Sequence, residues 1–233
     1  MPTNINSSNQ TINQYAVQSG GANNNLNNIS PGTATYVLTS NGASAQPTFQ
    51  PASGGSAFQS VNIQTFTASG TYTPTAGMKY CIIEAVGGGG GSSSSTNGGN
   101  GGNTTVGSLI TCNGGVAGNF GSGDPRGQGG TSTGGNVNIQ GGSSQSQSSV
   151  IIGGSSYFSG GGAVAFSTHN IAANSGAGAA GPRVGGGAGG YSRLVASAAT
   201  IGASQVVTIG AGGIAGSSGY AGAAGIVIIT EYM

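Results

Sequence analysis

Apolar residues are sparse at the start of the chain and gather into short alternating runs further on. Between residues 1 and 57, Ile5, Ile12, Tyr15, Val17, Leu26 and Ile29 stand singly among Asn, Gln, Ser and Thr. A segment of this kind cannot bury a core alone, so it is expected to order against something else, copies of itself included. From Phe58 the pattern changes. Phe58, Val61, Ile63 and Phe66 alternate well enough for a half-buried strand. Gly70 and the Pro74–Gly77 cluster are turn signals. The run MKYCIIEAV (Met78–Val86) is apolar on both pleat faces and predicts a central strand covered on both sides. After Gly190, the runs YSRLVASA, SQVVTIGAG and GIVIITEYM have strand length and are separated by glycine. No helical period appears anywhere, and glycine in a helix interior costs about 1 kcal/mol relative to alanine. The expected fold is all-β: a small antiparallel β-domain assembled from two separated parts, 58–86 and 191–233.

Between these parts lies a long glycine-rich insertion, residues 87–190, holding 35 of the 51 glycines. It opens with Gly87–Gly91 and carries Gly-Gly-Asn twice at 98–103, but no sustained Gly-X-Y period follows, which excludes collagen. Two forms remain open for it: polyproline-II-like helices bonded through their backbones, or a system of loops. Short apolar islands at Val106–Ile110, Val137–Ile139, Val150–Ile152, Tyr157–Phe158 and Ala163–Phe166 read as short strands or anchors. The expected organisation is therefore an arm, 1–57, and a glycine-rich β-domain, 58–233.

Composition narrows the function. Only seven residues are charged, 3% of the chain, and the net charge is +1. There is no electrostatic footprint for nucleic acid or anionic lipid. No apolar run approaches the ~18 residues of a membrane span, so no membrane insertion is expected. The N-terminus lacks the basic and apolar regions of a standard secretory signal; a role outside the cell would need another exit, such as lysis. The three acids, Glu84, Asp124 and Glu231, and one imidazole, His169, leave little stock for acid–base or metal chemistry. No enzyme activity, metal or cofactor is expected. Near-zero net charge does little to oppose self-association.

Individual candidates follow. Cys81 and Cys112 permit one disulfide, although neither has a CxxC partner and Cys81 sits in an apolar run that suits a buried thiol. His169 has no nucleophile elbow near it and reads as a loop histidine. Asp124-Pro125-Arg126 reads first as a turn, with Arg126 as a cation for a sugar hydroxyl or phosphate in the other reading. Glu84 needs a partner in its strand, with Lys79 and Arg193 at hand, whereas Glu231 near the terminus is expected at the surface. Gly87–Gly91 lacks the lysine of a phosphate loop. The large side chains of the glycine-rich region, Phe120, Tyr157, Phe158, Phe166 and Tyr220, serve equally as loop anchors or as contacts to a partner. Tyr157, Phe158, Phe166 and Arg126 are the candidate receptor-binding residues.

Three blocks carry a resemblance: IQTFTASGTYTPTAGMKYCIIEAVGGGGG, GGGAGGYSRLVASAATIGASQVVTIGAGG and GAAGIVIITEY. In this order they resemble the glycine-rich domain near the C-termini of bacteriophage tail-fibre proteins, a domain type also found in bacterial extracellular fibre and surface proteins. Upstream, SPGTATYVLTSNGASAQPTFQ (Ser30–Gln50) is similar to a short module of phage and related surface fibres. The resemblance spans residues 30–50 and 60–233, and 92–184 is not matched word for word. It implies an oligomeric, non-enzymatic fibre or fibre-tip protein of a virion tail, usually a homotrimer. Its distal loops would contact a bacterial surface receptor, protein or glycan. The alternative is a self-assembling extracellular filament subunit without a specific receptor. Ice or mineral binding is compatible with composition alone.

Overall fold

The computed structural model describes residues 17–20, 26–29, 36–42, 45–51, 60–121, 126–145, 151–165 and 168–233. The chain divides into two compact units, Met1–Ala57 and Phe58–Met233. In the first, β1 (Val17–Gly20) pairs with β2 (Leu26–Ile29), and β3 (Tyr36–Thr39) pairs with β4 (Thr48–Pro51), both antiparallel. The side chains of Asn41 and Gln50 bond each other across the second hairpin, at 2.8 Å.

The second unit holds two five-stranded antiparallel sheets. Its elements are β5 (Val61–Phe66), β6 (Gly70–Tyr72), β7 (Tyr80–Val86), β8 (Thr104–Val106), β9 (Ile110–Cys112), β10 (Ser132–Thr133), β11 (Val137–Ile139), β12 (Val164–Ala165), β13 (Thr168–His169), β14 (Tyr191–Ser197), α1 (Ala198–Ile201), β15 (Gln205–Thr208) and β16 (Ile226–Tyr232). The first sheet runs β11-β14-β7-β16-β5 and the second β10-β9-β8-β15-β6. With 33% strand and 2% helix, the chain is all-β. The one helix among the described residues is a single turn, too short to leave a period in the sequence; Ser197 Oγ caps it by accepting from Thr200 N.

β7 is central, paired to β14 and β16 along its whole length. Its inward residues Cys81, Ile83 and Ala85 pack with Val227 and Ile229 of β16 against Tyr72, Val106, Ile110, Cys112 and Val207 of the second sheet. Residues 104–112 thus belong to the hydrophobic core, although they lie within the glycine-rich stretch. The expectation of cover on both faces of β7 is corrected: Tyr80, on its other face, is 42% exposed.

The glycine-rich segments follow a different order. Gly87, Gly90 and Ser93 donate backbone bonds to Gly190, Gly187 and Val184, at 3.0, 2.8 and 3.1 Å. Gly88 and Gly91 donate to Gly102 and Gly99, and Gly89 and Ser92 to Ala223 and Tyr220. The same neighbour returns every third residue, the period of a polyproline II helix. The carbonyls of this segment accept from residues 115 and 118, from Ala179, and from residues 213 and 216. Segment 87–93 is therefore bonded to six surrounding segments. Glycine is required by this closeness: a Cβ on Gly89 would collide with the Ala177 carbonyl, and one on Gly91 with the Ile214 carbonyl.

Candidate functional site

These helices run alternately away from the sheets and back. Segment 87–93 leaves β7, and its bonds to 184–190 and to 99–102 are antiparallel, returning the chain to β14 and to β8. Seven residues at about 3.1 Å each carry the outward turns roughly 20 Å from the sheet end. Two candidate surfaces follow, one at each end.

The distal end gathers Ser94–Asn97, Asn119–Gly121, Arg126, Pro182–Arg183 and Ser217–Ser218. It is held by short polar links. Ser94 N and Oγ donate to the Ser217 carbonyl at 2.9 and 2.7 Å, and Ser217 N donates to Thr96 Oγ1 at 2.8 Å. Phe120 N donates to Asn97 Oδ1 at 2.9 Å. The guanidinium of Arg183 lies 4.6 Å from the centre of the Phe120 ring. Phe120 is 37% exposed and Arg183 is exposed beside it, a cation–π pair facing solvent. Arg126 is also exposed at this end.

Below the tips, Asn97, Asn100 and Asn103 act as a ladder. Their Oδ1 atoms accept from the backbone N–H groups of Phe120, Ala117 and Gly114, at 2.9, 2.8 and 3.0 Å. Both series step by three, so one side of one helix is stitched to one side of the next. The repeated Gly-Gly-Asn at 98–103, with Asn97 in phase, is the sequence trace of this contact. Arg183 and the asparagine ladder were not singled out by sequence reasoning.

Tyr157 and Phe158 stand at the opposite end, against the first sheet. Tyr157 stacks on Tyr191, the first residue of β14, with ring centres 3.8 Å apart and planes 16° from parallel. Phe158 meets both rings edge-on, at 5.3 and 5.8 Å. Tyr191 Oη donates to Glu84 Oε1 at 2.6 Å, so the partner of Glu84 is a hydroxyl and not the expected Lys79 or Arg193, although Arg193 lies opposite it in the β7–β14 register. Burial, and then the bond to Glu84, raise the Tyr191 hydroxyl pKa. Tyr157 is 56% exposed. Phe166, Asp124 and Pro125 lie outside the described residues. His169 lies in β13, and Tyr220 is half-buried.

The disulfide that the two cysteines permit is not formed, and Cys81 is the buried thiol its apolar run suits. Cys81 and Cys112 are separate, buried, free thiols. Cys112 Sγ points to the Ala85 carbonyl at 3.3 Å, four residues along β7 from Cys81. That is about 13 Å at strand rise, against the roughly 7 Å between Cα atoms that a disulfide spans. Burial pushes the Cys112 thiol up to about 12 and also raises Cys81, so neither is a ready nucleophile.

The expectation of Glu231 at the surface is corrected; its exposure is 0%. Five donors enclose its carboxylate. Thr75 gives its backbone N–H at 2.9 Å and Oγ1 at 2.6 Å, Tyr72 Oη donates at 2.8 Å, Asn62 Nδ2 at 2.8 Å and Gln64 Nε2 at 3.4 Å. Burial alone would raise its pKa, but the bonds from Thr75, Asn62 and Tyr72 outweigh it and hold the carboxyl at about 2.

Among the described residues no group of three or more His, Cys, Asp or Glu side chains is placed to hold a metal ion, and no helix is long and apolar enough to cross a membrane. No family model matches the chain, and neither a curated protein nor a solved structure matches it.

Proposed function

We propose that this chain is a structural and adhesive protein of a bacteriophage tail fibre, at or near its tip, that attaches to a receptor on a bacterial surface. The observation that carries the reading is the three-residue bonding period of the glycine helices. Backbone bonds in many directions make a stiff block almost without side chains, and its short polar turns are presented together at one end. Recognition residues are commonly carried by loops on a rigid scaffold. The resemblance to tail-fibre glycine-rich domains supports the same assignment, and a place on the virion tail or otherwise outside the cell goes with it.

Within this reading the distal turns touch the receptor. Phe120 offers a ring, Arg183 and Arg126 offer guanidinium donors, and the serines and Asn97 offer small polar groups. Such a surface suits a glycan or a polar protein loop. Tyr157 and Phe158 anchor their turn to Tyr191, and their substitution serves as the comparison.

Attachment of purified protein to a panel of bacterial strains tests this. Phe120→Ala with Arg183→Ala is expected to weaken attachment by about 2 kcal/mol or more, the usual cost of truncating an aromatic or arginine hot spot. Tyr157→Ala with Phe158→Ala is expected to lower stability and leave attachment near normal at temperatures where it is folded. Attachment should depend weakly on salt, because screening acts on exposed charges and few are present. Loss of attachment only in the Tyr157/Phe158 variant would move the receptor surface to the sheet end. Long uniform filaments in electron micrographs, with no attachment to any strain, would overturn the reading in favour of a filament subunit.

A further inference from the structure

The asparagine ladder offers more than the glycine array requires of it. From Asn97 to Asn103 each three-residue step carries two glycines and one asparagine. The glycines face inward: a Cβ on Gly101 would meet the Gly88 carbonyl, and one on Gly102 the backbone of Ala211. Asn97, Asn100 and Asn103 are exposed. Their Oδ1 atoms accept from Phe120, Ala117 and Gly114 N–H. An acceptor is all that those N–H groups need, and serine or aspartate would supply one. Asparagine adds a donor. Because a backbone N–H fixes Oδ1, the orientation of each amide is settled and Nδ2 is the atom left over. None of the three Nδ2 groups has a partner among the described residues.

Three donors are therefore held in a line. At about 3.1 Å per residue they stand roughly 9 Å apart and span roughly 19 Å. The line begins at the distal turns, where Asn97 holds the Phe120 backbone, and descends the side of the block to β8. Exposed apolar groups flank it, Phe120 at its start and Val116 on the adjoining segment. The chain's four cations are Lys79, Arg126, Arg183 and Arg193, and none lies in segments 97–103 or 113–118, so a polyanion gains no charge contact along the ladder. A peptide loop does not present acceptors at a constant interval. A linear neutral glycan does: its hydroxyl and ring oxygens recur with every repeat, and its C–H faces suit Phe120 and Val116. Amides already fixed lose little freedom when a ligand docks, and successive rungs act on one polymer as linked sites.

We infer that the ladder binds a linear, uncharged polysaccharide of the bacterial surface lengthwise, from the turn of Phe120 down to Asn103. This rests on the reading of the distal turns as a receptor site. It names the class of receptor, a glycan and not a protein loop, and extends the site down the side of the block.

Calorimetry on the full chain tests it, with the neutral polysaccharides released from the surfaces of the strain panel, each as the long polymer and as its single repeat unit. The wild type is expected to bind at least one polymer about ten-fold or more tightly than its repeat unit. Asn100→Asp with Asn103→Asp keeps each acceptor and removes each outward donor. This pair is expected to leave the thermal midpoint near that of the wild type and to weaken polymer binding about ten-fold or more. A ladder that only joins two helices would leave binding unchanged. If the aspartate pair fails to fold, Asn100→Ser is expected to weaken polymer binding about three-fold, the loss of one neutral hydrogen bond. A wild type that binds none of the polymers, or an aspartate pair that binds them normally, overturns the inference. Attachment lost in the Phe120/Arg183 variant but kept in the aspartate pair overturns it and leaves the distal reading standing. Polymer binding lost in the aspartate pair, with attachment unaffected in the Phe120/Arg183 variant, does the reverse.

Discussion

Glu231 shows how one residue departs from its expected place without straining the fold. A charged carboxylate among apolar residues is costly unless its oxygens are satisfied, and here Thr75, Tyr72, Asn62 and Gln64 satisfy them without a cation. The group ties the end of β16 to β5 and to the connection after β6. Its folded pKa, about 2, lies below the ordinary 4.5, so the carboxylate contributes stability that is fully present above about pH 5 and is lost as pH falls through that window towards 2. Glu231→Gln is expected to cost about 2 kcal/mol or more at pH 7, since hydrogen bonds to a charged group are lost and buried donors are left facing an amide. In chemical denaturation the variant should also show a flatter pH dependence between 5 and 2. An unchanged slope there would assign the acid sensitivity to another group.

At the scale of elements, the strands and the glycine helices answer to different rules. Strands such as β7 and β16 are set by side chains alternating across a pleat; β7 was legible in the sequence as a run apolar on both faces, and its alternation of buried and part-exposed residues came only with the fold. The glycine helices are set by backbone bonds that return every third residue, and they tolerate a side chain only where it points out of the array. Gly89 and Gly160 separate the two situations. Gly89 faces the Ala177 backbone, whereas an added Cβ at Gly160 meets nothing within 4 Å. Gly89→Ala is expected to destabilise by about 1–3 kcal/mol or more through overpacking. Gly160→Ala is expected to fall within about 0.5 kcal/mol of the wild type. Equal thermal midpoints for the two variants would count against the close-packed array.

For the molecule as a whole, the glycine-rich stretch and the sheets are one construction. Val106, Ile110 and Cys112 enter the core from within it, and β8 and β9 extend the second sheet from β15. Replacing residues 92–184 by a short Gly/Ser linker is therefore expected to abolish the cooperative unfolding transition, not merely to shorten the protein. Retention of β structure by circular dichroism, with an unchanged oligomer mass, would show that 58–86 and 191–233 fold by themselves.

The sequence by itself determined the all-β class, the strands at Val61–Phe66, Tyr80–Val86, Tyr191–Ser197 and Ile226–Tyr232, and the shortage of groups for catalysis. It also held one trace of the threefold helices, in Asn97, Asn100 and Asn103. Those features depend on side chains, whose polarity and spacing are written along the chain. Tertiary structure alone decided which glycine segments are neighbours, that Tyr157 and Phe158 fold back onto Tyr191 while Phe120 and Arg183 share the far end, and that Glu231 is enclosed. The reason is physical: a glycine carries no polarity to mark its inner side, and every residue but proline offers the same backbone donor and acceptor. Helices bonded through those groups find their partners only in the folded array.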